Sequence, residues 1–144
     1  MDKPDLIHTR IRIDFTAGPS IGPGKIALLE RIEACGSLSQ AARELGLSYR
    51  RGWLLLDDLN RAFDAPVVVT STGGAHGGGA RLTDLGQALI ECYRRAEAAA
   101  EAIAQREFRA LSTHIARSAS GRVRSVRSRG TSLRRPLQRS LKDV

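Results

Sequence analysis

The sequence predicts a mainly α-helical chain with a small β-hairpin, on three observations. Two short helical patterns, each preceded by a serine able to cap it, are separated by the glycine of "ELGLS". A β-branched run, "VVVTST", and a return segment, "ARLT", flank a glycine-rich turn. An apolar seam then recurs at helical spacing from Leu85 to Ile115.

Taken in order, "LIHTRIRIDF" alternates Ile7, Thr9, Ile11 and Ile13 with His8, Arg10, Arg12 and Asp14, the pattern of a half-exposed strand. "TAGPSIGPG" reads as loop. From about Lys25, a stripe of Ile26, Leu28, Leu29, Ile32, Glu33 and Cys35 makes a helix, stopped by Gly36 where a left-handed cap is wanted. Ser37 caps a short helix containing Leu38, Ala41, Ala42 and Leu45, which Gly46 ends. Ser48 caps the next helix, expected to carry Trp53, Leu56, Leu59 and Phe63 inward. Helices joined by so tight a turn cross steeply, the sequence form of a helix-turn-helix, whose second helix lays its N-terminal end in a major groove. Exposed positions there hold Tyr49, Arg50 and Arg51, and arginine can fork onto guanine or hold a phosphate. Gly52 costs roughly 1 kcal/mol against alanine in mid-helix, which implies close approach either to the first helix or to DNA.

After a turn at Pro66 comes the hairpin, with "GGAHGGG" at its tip. A nucleotide P-loop needs G-x-x-x-x-G-K-[ST], and "GGGARL" supplies neither the lysine nor the hydroxyl. A dinucleotide fingerprint runs from strand through glycines directly into a helix, and here a second strand intervenes. Beside a helix-turn-helix the same loop is a wing: glycine amides approach a polyanion closely, and Thr72, His76 and Arg81 add side-chain contacts. The fold expected is a winged helix-turn-helix.

Thr83 caps a long helix in which Leu85, Leu89, Cys92, Ala96, Ala99 and Ile103 recur at alternating spacings of four and three, followed by Phe108, Leu111 and Ile115. So long a seam exceeds what one small domain covers, and its small residues suit a second helix. The expected organisation is an N-terminal strand and loop over residues 1–22, the winged helix-turn-helix over 23–82, a long dimerisation helix over 83–116, and a disordered Arg/Ser-rich tail over 117–144.

The net charge of +8 belongs to that tail, because residues 1–116 carry 14 basic and 14 acidic side chains. DNA binding by the folded part must therefore use clustered charge. No apolar run is long enough for a membrane span and the N-terminus is unlike a secretory signal. Cys35 and Cys92, placed on apolar helix faces, read as reduced, buried thiols of a cytoplasmic protein. His8, His76 and His114 are scattered, and Asp57 and Asp58 diverge on their helix, Asp57 being placed to pair with Arg61. Neither a metal site, a catalytic residue nor a cofactor is expected.

The stretch from Gly24 to about Arg95 resembles the N-terminal DNA-binding domain of the ModE family of molybdate-responsive transcriptional regulators, itself similar to the helix-turn-helix of LysR-type regulators. The likeness is carried by "SLSQAA", "LSYRRGW" and "TGGAHGGGARLT". It implies a homodimer on double-stranded DNA, joined through the first strand region and the last helix. By position, Ser48, Tyr49, Arg50 and Arg51 would face the major groove, Ser39, Gln40 and Arg43 the backbone, and the loop from Gly73 and Gly74 through His76, Gly77 and Gly78 to Arg81 the flank. Trp53 matches a tryptophan of the motif and is expected in the core. The family's molybdate-binding pair of small β-barrels is replaced here by the Arg/Ser tail, so molybdate binding is not carried over. The reading is a dimeric, non-enzymatic transcriptional regulator; the alternative is a general nucleic-acid or protein-interaction module driven by the tail.

Overall fold

The computed structural model describes residues 7–72 and 78–116. The chain divides into a unit spanning Met1–His114 and a second, Ile115–Val144; the first holds every element below. The tail and most of the glycine tip, including Gly73, Gly74, His76 and Gly77, lie outside the described residues.

Two short strands, β1 (Ile13–Asp14) and β2 (Ser20–Ile21), pair antiparallel with Ile13 opposite Ile21. The alternation expected over residues 7–14 holds in burial: the isoleucines and Thr9 are half-buried and the polar residues between them exposed. The ladder is far shorter than that pattern, and part of the Gly/Pro segment read as loop supplies its partner. Helix α1 (Pro23–Cys35) starts two residues earlier than Lys25, because Pro23 sits at N1, where its fixed φ suits a helix and its missing amide costs nothing. It ends on Gly36 at φ 69°, whose amide donates to Ile32 O.

Helices α2 (Leu38–Glu44) and α3 (Tyr49–Ala62) follow. Ser37 Oγ accepts from the Gln40 amide at 3.2 Å, and Ser48 Oγ from the Arg51 amide at 3.1 Å. Between the helices the Gly46 amide donates to Arg43 O and the Leu47 amide to Ala42 O. That pair of bonds is a Schellman motif with Gly46 in the left-handed conformation, φ 69°. It reverses the chain within a few residues and so fixes how α3 departs from α2.

The question posed by Gly52 is answered by packing. Gly52 is buried, and a Cβ there would stand 2.9 Å from Ala42 Cβ. The glycine therefore lets α3 lie against α2. Its phase also decides which side of α3 faces the core: Gly52, Leu56 and Leu59 are buried, and Trp53, about 100° further round, is 47% exposed. The expectation that Trp53 is core is thus corrected, while Phe63, just past the helix end, is half-buried.

Strands β3 (Val68–Ser71) and β4 (Gly79–Leu82) form the expected antiparallel hairpin, with Val68 opposite Leu82 and Ser71 opposite Gly79. The hairpin docks on the end of α1 through the Ala80 amide, 2.8 Å from Gly36 O. Helix α4 (Asp84–Ser112) is capped by Thr83, whose Oγ1 accepts from the Gly86 amide. The core gathers Ile21, four residues of α1, Leu38 and Ala41 of α2, Leu56 and Leu59 of α3, the hairpin's Val67, Val68, Ala80 and Leu82, and Tyr93. Within α4 only Gly86 and Tyr93 are buried. Tyr93 Oη donates to Ile11 O at 2.8 Å, holding the N-terminal segment, and Arg94 pairs with Glu30 of α1.

Candidate nucleic-acid interface

The first turns of α2 and α3 end up beside the hairpin. An open cleft of about 550 Å³ lies between them, lined by Ser37, Leu38 and Ser39 of the α2 start, by Tyr49, Trp53, Leu56, Asp57 and Asn60 along α3, and by Thr70–Thr72 and Gly78–Ala80 of the hairpin. Of the residues proposed from sequence to contact DNA, this brings Ser39, Tyr49, Thr72 and Gly78 to one place. Gln40, Arg43, Ser48, Arg50 and Arg51 are exposed on the same two helices outside the cleft. Arg81 is not part of that lining: it is exposed on β4 between buried Ala80 and Leu82, near Glu33, Gly36 and Gln87.

Several arginines elsewhere are paired. Arg31 pairs with Glu44, Arg61 with Asp57 at 2.9 Å as anticipated, and Arg94 with Glu30 and Glu97. Among the described residues Arg43, Arg50 and Arg51 make no ion pair, so their charge is available to a polyanion.

The hairpin is set against α3 by a residue with no local sequence signal. Asn60 Oδ1 accepts from the amides of Val67 and Val68 at 2.9 and 3.2 Å, while Nδ2 donates to Val68 O at 3.1 Å. The opposite side of the same peptide is held by α4: Thr83 N donates to Val67 O at 3.0 Å, and Thr83 Oγ1 donates to Pro66 O at 2.7 Å. Gly86 is a requirement of this junction, since a Cβ would overlap Val67 O. At the far end of the hairpin a Cβ on Gly78 would overlap Ser71 O, and Ser71 Oγ accepts from the Gly79 amide at 3.1 Å. Glycine is thus needed at position 78 to close the strands together.

The apolar seam of α4 divides. Leu85 and Leu89 are half-buried against the core, whereas Cys92, Ala96, Ala99 and Ile103 are exposed, as are Phe108, Leu111 and Ile115. The placement of Cys92 as a buried thiol is therefore corrected: Tyr93, one position on, takes the inward face and turns Cys92 outward. Cys35 is half-buried, its thiol donating to Ser37 O at 3.3 Å.

Among the described residues no group of histidines, cysteines and carboxylates is arranged to hold a metal, and no helix is long and apolar enough to cross a membrane. Three groups among the described residues have shifted titration. The Arg12 guanidinium bonded to Asp14 holds its carboxyl below the ordinary value; burial, then the Glu97 charge, push the Tyr93 phenol up; and the bonds from Glu30 and Glu97 raise Arg94.

Sequence comparison supplies an independent line. The chain is similar to ModE and Mop proteins. It is 44% identical over 99 residues to the molybdenum-pterin-binding protein MopA of Rhodobacter capsulatus, a match covering 69% of this chain and 37% of that protein. Against the molybdenum transport protein ModE of Azotobacter vinelandii it is 39% identical over 88 residues, 61% of this chain and 33% of the relative. With the DNA-binding transcriptional dual regulator ModE of Escherichia coli K12 it shares 42% identity over 71 residues, 49% and 27% of the two chains. The matches with these ModE and Mop proteins thus span about a quarter to just over a third of the relatives' length. No family model matches the chain.

Proposed function

We propose that this chain is a DNA-binding transcriptional regulator that acts as a homodimer, its α2–α3 pair and hairpin forming a winged helix-turn-helix. The observation that carries the reading is the shared cleft: the exposed N-terminal end of α3, with Tyr49, faces the hairpin residues Thr72 and Gly78. A helix start and a wing on one side match the way such domains meet a duplex, with the helix in the major groove and the loop on flanking phosphates. Unpaired Arg43, Arg50 and Arg51 supply cations on those helices, and the transcriptional-regulator names of the ModE relatives agree with the assignment. On this reading Ser39, Gln40 and Arg43 hold the backbone, Ser48 to Arg51 read the groove, and the loop from Gly73 to Arg81 touches the flank. Residues 23–82 then form the reading domain and 83–116 the dimer helix, whose exposed Cys92, Ala96, Ala99 and Ile103 continue the half-buried Leu85 and Leu89 into a seam for a second copy. No enzymatic, cofactor or molybdate role is assigned to these residues.

Selection of bound duplexes from a random pool tests the proposal. A two-fold dimer should recover inverted half-sites about one helical turn, or a multiple of it, apart. Arg50→Ala or Arg51→Ala should weaken binding to the selected duplex by about 1 to 3 kcal/mol where the arginine forks onto a base. Equal loss on selected and random DNA makes that arginine a phosphate contact instead. The competing reading rests on the basic residues of 117–144: if truncation after Ile115 abolishes specific retention of the selected duplex, affinity resides in the tail and the proposal fails.

A further inference from the structure

The cleft between α3 and the hairpin has a chemistry that differs from its surroundings. Its described lining includes no lysine or arginine, and its one charged group is Asp57. That carboxylate is already paired with Arg61 outside the lining, so the described wall offers an entering phosphate no free cation. Its α3 wall instead presents two aromatic rings, Tyr49 and Trp53, one turn apart and 59% and 47% exposed. The whole sequence has six aromatic residues, one of them tryptophan, so a third of its aromatics is concentrated on this wall. A half-exposed indole ordinarily buries its apolar body against a partner, and the core, organised around Gly52, Leu56 and Leu59, leaves Trp53 outside.

We propose that Trp53 is a specificity-determining contact: when α3 enters the major groove, its indole packs against the C5-methyl group of a thymine on the hairpin side of the helix. This rests on the regulator reading above. The methyl is the apolar feature among major-groove base edges, and it matches an aromatic wall whose described lining carries no lysine or arginine. Arg43, Arg50 and Arg51, exposed outside the cleft, take the phosphate and guanine contacts that the cleft does not. Tyr49, at the mouth of the same wall, supplies the neighbouring face of the slot.

The test uses the full chain and a duplex selected from a random pool. Because Trp53 is the single tryptophan, intrinsic emission reports it directly, and binding should shift that emission to the blue and shield it from acrylamide. Each thymine of the duplex is then replaced singly by deoxyuridine, which removes only the methyl. One thymine in each half-site should show about a fourfold loss of affinity with the wild-type chain, the equivalent of one buried methyl group, and no loss with Trp53→Ala. Trp53→Phe, which keeps a smaller apolar face, should fall between them. A bound duplex with unchanged Trp53 emission overturns the inference even if Trp53→Ala fails to fold. So does a Trp53→Ala loss with no deoxyuridine-sensitive position, which would make the indole a sugar contact. Failure to select any duplex removes the regulator reading, and this assignment with it; selection without the coupling removes this assignment alone.

Discussion

Replacing Gly52 by alanine sets two effects against each other. In a helix interior, alanine is favoured over glycine by about 1 kcal/mol. Against this, the new Cβ would stand 2.9 Å from Ala42 Cβ, and carbon atoms pack at about 3.5–4.0 Å, so the helices must part by at least about 0.6 Å. The obstacle is a methyl fixed to the α2 backbone, which no rotamer change can clear. Neither helix yields easily, because Leu38, Ala41 and Ala42 are buried on one side of the contact and Leu56 and Leu59 on the other. Overpacking of this kind costs about 1–3 kcal/mol, leaving Gly52→Ala about 0–2 kcal/mol less stable once the helix gain is subtracted. Urea unfolding at fixed protein concentration measures the difference, the concentration being held because the proposed dimerisation would contribute to apparent stability. Ala42→Gly in the same chain removes the opposing methyl, so the double variant should recover most of the loss beyond the cost of Ala42→Gly alone. A Gly52→Ala chain more stable than the wild type, or a cycle without coupling, would refute the close-packing account.

Three other outcomes follow from contacts described above. Asn60→Ala removes three hydrogen bonds and orphans two buried amides, so stability should fall by about 2–3 kcal/mol, with hydrogen exchange at Val67 and Val68 accelerating first. Tyr93 gives an alkaline signature: its folded-state phenol titrates above the ordinary 10.0, so it holds its proton more tightly folded than unfolded. Its contribution is complete below that value and lost as pH rises through the folded one; Tyr93→Phe should lose about 1 kcal/mol at neutral pH and show less alkaline destabilisation than the wild type. In the proposed dimer, Ile103→Glu on the exposed seam should shift sedimentation from dimer to monomer and lower the concentration-dependent part of the melting temperature; a chain that sediments unaltered would remove Ile103 from the dimer seam.

What could be read from the sequence was set by short-range chemistry. The capping bonds and turns of Ser37, Ser48, Thr83, Gly36 and Gly46 are made within four residues, and all five stand where cap and turn preferences put them. Trp53 escaped because the phase of α3 is fixed by Gly52, and a glycine counts as a core position only once Ala42 is known to lie against it. Cys92 escaped in a similar way. The spacing of the seam is genuine, but α4 has a second apolar face through Leu89, Ile90 and Tyr93, and that is the one its own domain covers. Asn60 and the Tyr93 hydroxyl act on partners distant in the chain or in another element, so no local pattern announces them. In the candidate interface, Ser39, Tyr49, Thr72 and Gly78 line one cleft, whereas Arg81 lies outside it on β4.

The last described tie from α4 to another element is Arg94, at Glu30. The residues from Arg95 to Ser112 continue for about 27 Å at helical rise, bearing no buried side chain. Such a rod is a lever pivoting on one end of the domain: each degree of tilt at Tyr93 swings its tip by about half an ångström over that length. Side chains at the root of α4 therefore act as the bearing of the lever, and a one-methylene change at Leu89 or Ile90 would be magnified along the whole rod although nothing at its tip had been altered.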